Sequence, residues 1–395
     1  MVQSKIVPSL YNETIKNMDW NKFTICDCTL REGEQAANVN LNLAEKMEVV
    51  HKLVEVGIDQ VQGGYPGRSE IDKEFIKQCK RENLPIKVEA LVQIFTPDWK
   101  SQIDAALESG ADILGLMHPS SDIRLDYQKM TKQDMIDRCV AALRYGRGKL
   151  PVTRFSTTDS TRTEMSFLKE VYSAAIENGA ERLLLADTAG STTPMGIYTM
   201  VKEIVDTFKV PVEIHCHNDF GLATANTIAG ICAGATIADV SVNGLGERAG
   251  NAPMAELISC LKFLYNADVH YKVELMYDLS KLLERLTAVP IPGEKPLVGE
   301  YAFAHKLDAH VRGMYYNSSL YETINPELVG NRRVIPIGKY SGPFIIGQKL
   351  RELGIIEEDE AKIKKIVKEV ETFSIEKRRA LTNDEIIGIY NKVKG

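Results

Sequence analysis

Short runs of β-branched residues alternate with amphipathic segments over the first 270 residues of the chain. The apolar runs have the length and composition of strands, and apolar positions at helical spacing lie between them. The predicted strands are Phe23–Cys28, Gln60–Gly64, Ile86–Ile94, Ile113–Met117, Val152–Ser156, Arg182–Ala186, Val212–His217 and Ile237–Val242. The predicted helices include Asn42–Val56, Pro97–Ser109, Lys132–Tyr145, Glu164–Asn178, Thr193–Phe208 and Leu222–Ala233.

Eight strand–helix units in succession are the count of a (β/α)8 TIM barrel, an α/β fold. The competing architecture is a doubly wound sheet, which would carry a glycine-rich phosphate turn after the first strand. The chain reads CDCTLREGEQ at that point, which is not such a turn. We therefore predict a barrel over residues 1–270, with its active site where the strands end.

The pattern changes after residue 270. Val273–Thr287 predicts one more helix, and a proline- and glycine-rich segment, Pro290–Gly299, follows it. From Glu357 onward the chain is charged and has helical spacing, which is typical of solvated helices. We predict a linker subdomain over residues 271–345, a helical C-terminal subdomain over residues 346–395, and no regulatory domain.

Composition narrows the class of protein. The net charge is -6 over 395 residues and the pI is about 5.8, which argues against a nucleic-acid or membrane-surface partner. No apolar run reaches transmembrane length, and the first twenty residues are too polar for a signal peptide. The seven cysteines lack CxxC spacing, so we expect buried thiols in a reduced, cytoplasmic protein.

Candidate metal ligands stand at the ends of three predicted strands. His215 and His217 share one face of the seventh strand, and two imidazoles on one face can hold a metal ion, although hydrogen bonding satisfies such a pair equally well. Asp27 at the end of the first strand could supply a carboxylate and Arg31 a positive charge, while Asn251 could add an amide oxygen. Such a ligand set suits Mn²⁺, Mg²⁺, Co²⁺ or Zn²⁺, and open positions would let a 2-oxo acid chelate the ion.

Four motifs carry a family resemblance: DCTLREGEQ, LADTAGSTTP, HCHNDFGLATAN and NGLGERAGN. Together they resemble the DRE-TIM metallolyase superfamily, in the branch of the 2-isopropylmalate and homocitrate synthases, from residue 22 to 345. The resemblance implies condensation of an acyl-CoA, usually acetyl-CoA, with a 2-oxo acid, followed by thioester hydrolysis. It also implies a metal ion at Asp27, His215, His217 and Asn251, with Arg31 stabilising the enolate or alkoxide.

The resemblance also extends to the oxo-acid pocket. Arg154 and Ser156 look like the Arg-Phe-Ser of homocitrate synthases, in which the arginine meets the far carboxylate of a dicarboxylic acid. Thr188 resembles the residue that binds the oxo-acid carboxylate, and Gln62 stands where the family usually has a glutamate. We expect a dicarboxylic substrate, 2-oxoglutarate or oxaloacetate. Two alternatives stay open: an isopropylmalate- or citramalate-type synthase, and an aldolase or lyase. A further alternative is that Arg154 only balances Asp187.

The linker region resembles the family's source of proton-transfer residues. His310 matches the catalytic histidine and Tyr321 a tyrosine of the homocitrate synthases. Thr158, however, replaces the glutamate that partners the histidine, and we hypothesise that Asp308 takes over part of its role in orienting or charging His310. A non-catalytic binding protein is the alternative that Thr158 motivates. Homodimerisation is expected by resemblance alone.

Overall fold

A computed structural model describes residues 6–16 and 18–394. Within these residues, eight parallel strands pair in chain order, and β1 also pairs with β8, so the sheet closes into a barrel. The fold prediction is confirmed, and each predicted strand is present with its ends shifted by at most a few residues. The strands are β1 Thr24–Asp27, β2 Gln60–Gln62, β3 Lys87–Gln93, β4 Ile113–Pro119, β5 Val152–Thr158, β6 Arg182–Asp187, β7 Val212–Cys216 and β8 Ile237–Val240.

Local sequence signals begin and end the barrel helices. Asn42 and Glu45 form a reciprocal capping box at the start of the first helix, and Gly57 ends that helix in the left-handed region at φ 93°. The helices of the barrel unit are α1 Leu43–Val56, α2 Glu70–Arg81, α3 Trp99–Ser109, α4 Asp122–Gln128, α5 Lys132–Gly146, α6 Met165–Glu177, α7 Pro194–Phe208, α8 Ala223–Cys232, α9 Met254–Ser259 and α10 Met276–Thr287.

The lower part of the barrel interior is ionic instead of apolar. Alternate strands contribute Cys26, Glu89 and Glu213, whose ligand atoms lie within 4.8 Å of one another. Arg154 from β5 donates from Nε to Glu89 Oε1 over 2.5 Å and lies 3.7 Å from Glu213 Oε2. Gly115 on β4 makes room for this pair, because a Cβ there would lie 2.9 Å from the Arg154 terminal nitrogen. The barrel therefore holds a fixed guanidinium beneath its mouth.

The chain divides into two compact units, of which the barrel unit is Tyr11–Ile291. The second unit begins at Pro292 and also takes in the described residues that precede Tyr11. Its helices are α11 Asp308–Tyr316, α12 Pro343–Glu352, α13 Glu360–Lys377 and α14 Asn383–Lys394. One core joins the segments that the sequence analysis assigned to a linker and to a C-terminal subdomain, since it contains Val311, Met314, Ile337, Ile345, Ile346, Leu350, Ile366, Val370, Leu381, Ile386, Ile389 and Tyr390. None of the helices in the described residues has the length and apolar character needed to span a membrane.

Candidate metal and substrate site

His215 and His217 converge at the carboxyl end of β7. Their Nε2 atoms lie 3.4 Å apart, and each side chain is about 5% exposed. Burial lowers the pKa of each imidazole to about 4, so both rings are neutral at pH 7. His215 Nδ1 lies 2.8 Å from Asp239 Oδ2, which fixes the proton on Nδ1 and leaves a lone pair on Nε2. His217 Nδ1 has no hydrogen-bond partner among the described residues, and with its proton on Nδ1 the His217 ring would present a second lone pair at the same point.

The carboxylate beside these histidines belongs to Glu32, and the structure places Asp27 elsewhere. Glu32 Oε1 lies 3.7 Å from His217 Nε2, and ligand atoms of Glu32, His215 and His217 lie within 4.8 Å of one another. The Asp27 carboxylate instead accepts hydrogen bonds from the Thr29 amide and hydroxyl, at 3.0 and 2.7 Å. The cause is strand alternation: Cys26 and Cys28 point into the barrel, so Asp27 between them points outward.

Neighbouring groups favour the ionised form of the Glu32 carboxyl group. Burial opposes ionisation, but the Arg31 guanidinium outweighs it, with smaller contributions from the two histidines at the acid pH where their rings are protonated, and the pKa of Glu32 lies below its ordinary value. A carboxylate that stays ionised next to neutral imidazoles is a donor set that divalent cations bind. The sequence does contain a feature that points to Glu32 as a candidate ligand. Glu32 directly follows Arg31, after the end of β1, where the chain turns over the mouth of the barrel.

Asn251 completes the cluster. Its side-chain nitrogen lies 3.1 Å from His215 Nε2, and its Oδ1 is buried with no hydrogen-bond partner among the described residues. Rotating the amide by half a turn exchanges oxygen and nitrogen and brings an acceptor toward the two imidazoles. Two neutral imidazoles, a carboxylate and an amide with an unsatisfied oxygen therefore fit a divalent cation.

Gly246 is expected to be essential for the position of Asn251. A Cβ at residue 246 would lie 2.2 Å from Asn251 Oδ1, so Gly246→Ala should displace the amide and cost about 1–3 kcal/mol of stability by overpacking. Gly347→Ala in helix α12 meets nothing within 4 Å and should be neutral or stabilising. Thermal unfolding and Mn²⁺ titration of both variants test this expectation, and equal behaviour of the two would contradict it.

Arg31 is anchored at both ends of its guanidinium. Its NH1 pairs with Glu32, and its Nε donates to Gln62 Oε1 over 2.7 Å. The Gln62 amide nitrogen in turn donates to Asp239 Oδ2 over 3.3 Å. Gln62 is predicted to bind substrate, but both its amide oxygen and its amide nitrogen are hydrogen-bonded to protein groups in the structure. Arg31 is held in a single orientation beside the candidate metal ligands.

A cavity of about 160 Å³ opens at this end of the barrel. One side is formed by Arg31, Glu32 and the two histidines of β7, and the other includes the predicted pocket residues Arg154, Ser156 and Thr188. The volume is far above the roughly 10–15 Å³ that one water needs, so a small organic acid has room. Thr158, Tyr65, Met117, Leu184 and Ala186 also contribute to the wall.

Arg154 reaches this cavity from the ionic layer below. It is fully buried, and neither terminal nitrogen has a hydrogen-bond partner among the described residues. Its counter-ions are Glu89 and Glu213 instead of Asp187, whose carboxylate accepts from the Thr161 hydroxyl and from backbone amides of the following loop. Burial and the nearby charge of Asp239 raise the pKa of Glu213 to about 8, so the net negative charge around Arg154 is small at pH 7.

The second unit carries the remaining predicted residues. The rings of His310 and Tyr321 stack with centroids 4.3 Å apart, and both side chains are exposed. His305, which the sequence analysis did not single out, lies 3.1 Å from Glu322 Oε1. Glu322 also receives a bidentate pair from Arg333. The unit therefore presents two histidines, one stacked and one paired with a carboxylate.

Asp308 has a structural contact that the sequence did not indicate. Its Oδ1 accepts from the Ile345 backbone amide over 3.0 Å, which caps α12 where Gly342 offers no side chain of its own. Asp308→Ala should therefore lower stability by about 0.5–2 kcal/mol, and Asp308→Asn should restore it. Thermal unfolding tests the cap. Turnover of Asp308→Asn tests the hypothesis that the Asp308 charge acts on His310, which full activity would rule out.

Comparison with known proteins assigns both parts of the chain. A model of the HMGL-like family matches residues 22–287, and a model of the homocitrate synthase post-HMGL domain matches residues 297–378. The homocitrate synthase AksA of Methanothermobacter thermautotrophicus is 37% identical over 95% of each chain. The (R)-citramalate synthase CimA of Methanocaldococcus jannaschii is 37% identical over 94% of this chain and 74% of its own. A probable 2-isopropylmalate synthase of Methanopyrus kandleri is 40% identical over 89% and 69%.

The solved structure of Bacillus subtilis HMG-CoA lyase superposes with a TM-score of 0.60 at 20% identity, over 68% of this chain and 95% of that one, and supports the barrel fold. The fold and the relatives define the class as the acyl-CoA:2-oxo acid C-acyltransferases. The chain belongs to the HMGL-like family, in the group that includes homocitrate, citramalate and 2-isopropylmalate synthases. The family and enzyme-class predictions are confirmed.

Proposed function

We propose that this protein condenses acetyl-CoA with a dicarboxylic 2-oxo acid at a divalent metal ion and then hydrolyses the thioester. The observation that carries the dicarboxylic part is the pair of Arg154 terminal nitrogens, buried at the cavity wall without partners among the described residues. A buried N–H donor left unpaired is costly, so a ligand carboxylate at this point is favoured. A guanidinium fork matches a carboxylate in a bidentate pair.

The metal part of the proposal rests on Glu32, His215, His217 and Asn251. An ion bound there supplies Lewis acidity toward the oxo group of the substrate. Glu32 takes the place that the sequence analysis gave to Asp27, because its carboxylate is the one that faces the histidines. The two imidazoles are neutral at pH 7, so they present lone pairs without first losing protons.

The other cavity residues bind the substrate and stabilise charge. Arg31, fixed through Gln62, offsets negative charge that develops on the oxo oxygen during attack. The Ser156 and Thr188 hydroxyls can donate to the carboxylate next to the oxo group, although Thr188 Oγ1 already accepts from the Asp159 amide over 2.8 Å. By resemblance, His310 and Tyr321 move the proton at the acetyl methyl group, and their stacking fixes the plane of the imidazole.

A second candidate is a synthase for an apolar or small 2-oxo acid. Met117, Leu184 and Ala186 line the same cavity and would suit an alkyl chain better than a carboxylate. Two of the relatives carry the names of such synthases. Arg154 would then act only as the counter-ion of Glu89, so the substrate preference separates the two candidates.

The test is CoA release, followed with a thiol reagent, in the presence of Mn²⁺ and acetyl-CoA. The 2-oxo acids are 2-oxoglutarate, oxaloacetate, pyruvate and 2-oxoisovalerate. We expect the highest kcat/KM with a dicarboxylic acid. A preference for pyruvate or 2-oxoisovalerate would contradict the dicarboxylic part alone. No CoA release with any acid would contradict the synthase itself.

A further inference from the structure

We propose that Asp239 of β8 is a positioning residue that holds two groups of the site at once. The first is the ligand His215, which it contacts directly. The second is Arg31, which it reaches through Gln62. The inference rests on the metal site of the proposed function and concerns the protein groups behind it. Asp239 is 1% exposed, at the centre of the barrel, where no solvent can replace its contacts.

The contact with His215 decides how that ring faces the ion. His215 Nδ1 lies 2.8 Å from Asp239 Oδ2, and both side chains are buried. A ligating imidazole with such an acceptor behind it is locked in one tautomer and one orientation. Removal of an outer partner of this kind lowers metal affinity or activity by about 10–100-fold.

The contact with Gln62 extends the same carboxylate to Arg31. Gln62 donates from its amide nitrogen to Asp239 Oδ2 over 3.3 Å and accepts from Arg31 Nε over 2.7 Å. An amide can do both, because it carries a donor and an acceptor on one planar group, whereas an ionised carboxylate can only accept. Gln62 is 0% exposed, so neither hydrogen bond is shared with water.

The two hydrogen bonds that join Arg31 to Gln62 and Gln62 to Asp239 are called the relay below. The relay gives a physical reason for glutamine at position 62, where the resemblance leads one to expect glutamate. An ionised glutamate there could accept from Arg31 but could not donate to Asp239. Two buried carboxylates about 3.3 Å apart would repel each other, and Asp239 would lose a hydrogen bond. With glutamine, Asp239 Oδ2 faces His215 Nδ1 and no second carboxylate stands at position 62.

The test compares Mn²⁺ affinity, measured by electron paramagnetic resonance of free Mn²⁺, with kcat from CoA release. Asp239→Ala should raise the Kd for Mn²⁺ by about 10–100-fold and lower kcat as well. Asp239→Asn keeps an acceptor at the same place and should recover most of both losses. Gln62→Met should leave the Kd at the wild-type value and lower kcat on the order of tenfold, because Arg31 loses its anchor while His215 keeps its own.

The matched control is Asp206→Ala, which removes an exposed carboxylate paired with Lys202 on α7 and should change neither quantity. The double variant Asp239→Ala with Gln62→Met should lose no more kcat than Asp239→Ala alone, since both act on Arg31 along one path. Wild-type Mn²⁺ affinity in Asp239→Ala, or wild-type kcat in Gln62→Met, would overturn the inference.

Two further outcomes have a defined meaning. If Asp239→Ala does not fold, Gln62→Met still decides whether Arg31 depends on the relay. Asp239→Ser, whose shorter side chain cannot reach His215 Nδ1, then replaces Asp239→Ala in the Mn²⁺ titration, and a wild-type Kd in that variant would overturn the His215 contact. Failure of the wild-type protein to bind Mn²⁺ counts against the metal site of the proposed function. If the wild-type protein binds Mn²⁺ and Asp239→Ala binds it with the same Kd, only the positioning role of Asp239 is contradicted.

Discussion

Glu32→Gln is expected to weaken Mn²⁺ binding by more than about 100-fold and to abolish CoA release, because loss of a charged ligand exceeds the loss of an outer partner. A carboxylate oxygen of Glu32 lies within 4.8 Å of ligand atoms of both His215 and His217, and Glu32 also pairs with Arg31. The measurement is Mn²⁺ titration of the metal-stripped protein, with CoA release on the reloaded protein.

Asp27→Asn is the matched control, because Asp27 is equally buried and lies near the same end of the barrel. Among the described residues, Thr29 alone donates hydrogen bonds to its carboxylate, and burial raises the pKa of Asp27 to about 7. In Asp27→Asn the amide oxygen can accept from the Thr29 backbone amide and the amide nitrogen can face the Thr29 hydroxyl, so the local structure is kept and Mn²⁺ affinity should match the wild type. Loss of Mn²⁺ binding in Asp27→Asn, with retention in Glu32→Gln, would return the ligand role to Asp27.

The difference between Asp27 and Glu32 shows which parts of a site a sequence can define. The sequence predicts that the two histidines of β7 lie together because two residues on one strand share a face, which is a local property. The same rule turns Asp27 away once Cys26 and Cys28 are placed inside the barrel. The family motif DCTLREGEQ contains two acids near Arg31, and only the path of the chain beyond the strand selects Glu32.

The architecture was predictable because each strand–helix unit is local. Length, alternation and capping residues suffice to predict the strands and most barrel helices, although Glu70–Arg81 is not among the predicted helices. The ionic layer was not predictable. Glu89, Arg154 and Glu213 lie on strands that are far apart in sequence, and closure of the barrel brings them together. No spacing along the chain encodes such contacts.

The contacts of Asp239 with His215 and Gln62 could not be predicted from the sequence either, because they also depend on closure of the barrel. Residues 62 and 239 are separated by 177 positions and meet only because β1 pairs with both β2 and β8. In the second unit, the cap that Asp308 supplies to α12 likewise depends on tertiary packing. Residue identity at the site was therefore easier to predict than the partner of each side chain.

Arg154→Lys tests substrate selection with the largest expected change in specificity. Lysine retains a positive charge beside Glu89 but cannot form the two parallel hydrogen bonds of a guanidinium. Loss of a charged hydrogen bond of about 1.5–3 kcal/mol corresponds to a fall of about 10–150-fold in kcat/KM for 2-oxoglutarate or oxaloacetate. The kcat/KM for pyruvate should be unchanged, because pyruvate has no second carboxylate.

Lysine is preferable to an apolar residue at this position for a physical reason. Arg154→Leu would leave the buried Glu89 carboxylate without its cation, at a cost of about 3–5 kcal/mol of stability. The control is Arg144→Lys, since Arg144 donates to the Asn178 side chain on the exposed surface of the barrel. An equal loss of kcat/KM for dicarboxylic acids and for pyruvate would mean that Arg154 serves only to balance Glu89, and the dicarboxylic assignment would fall.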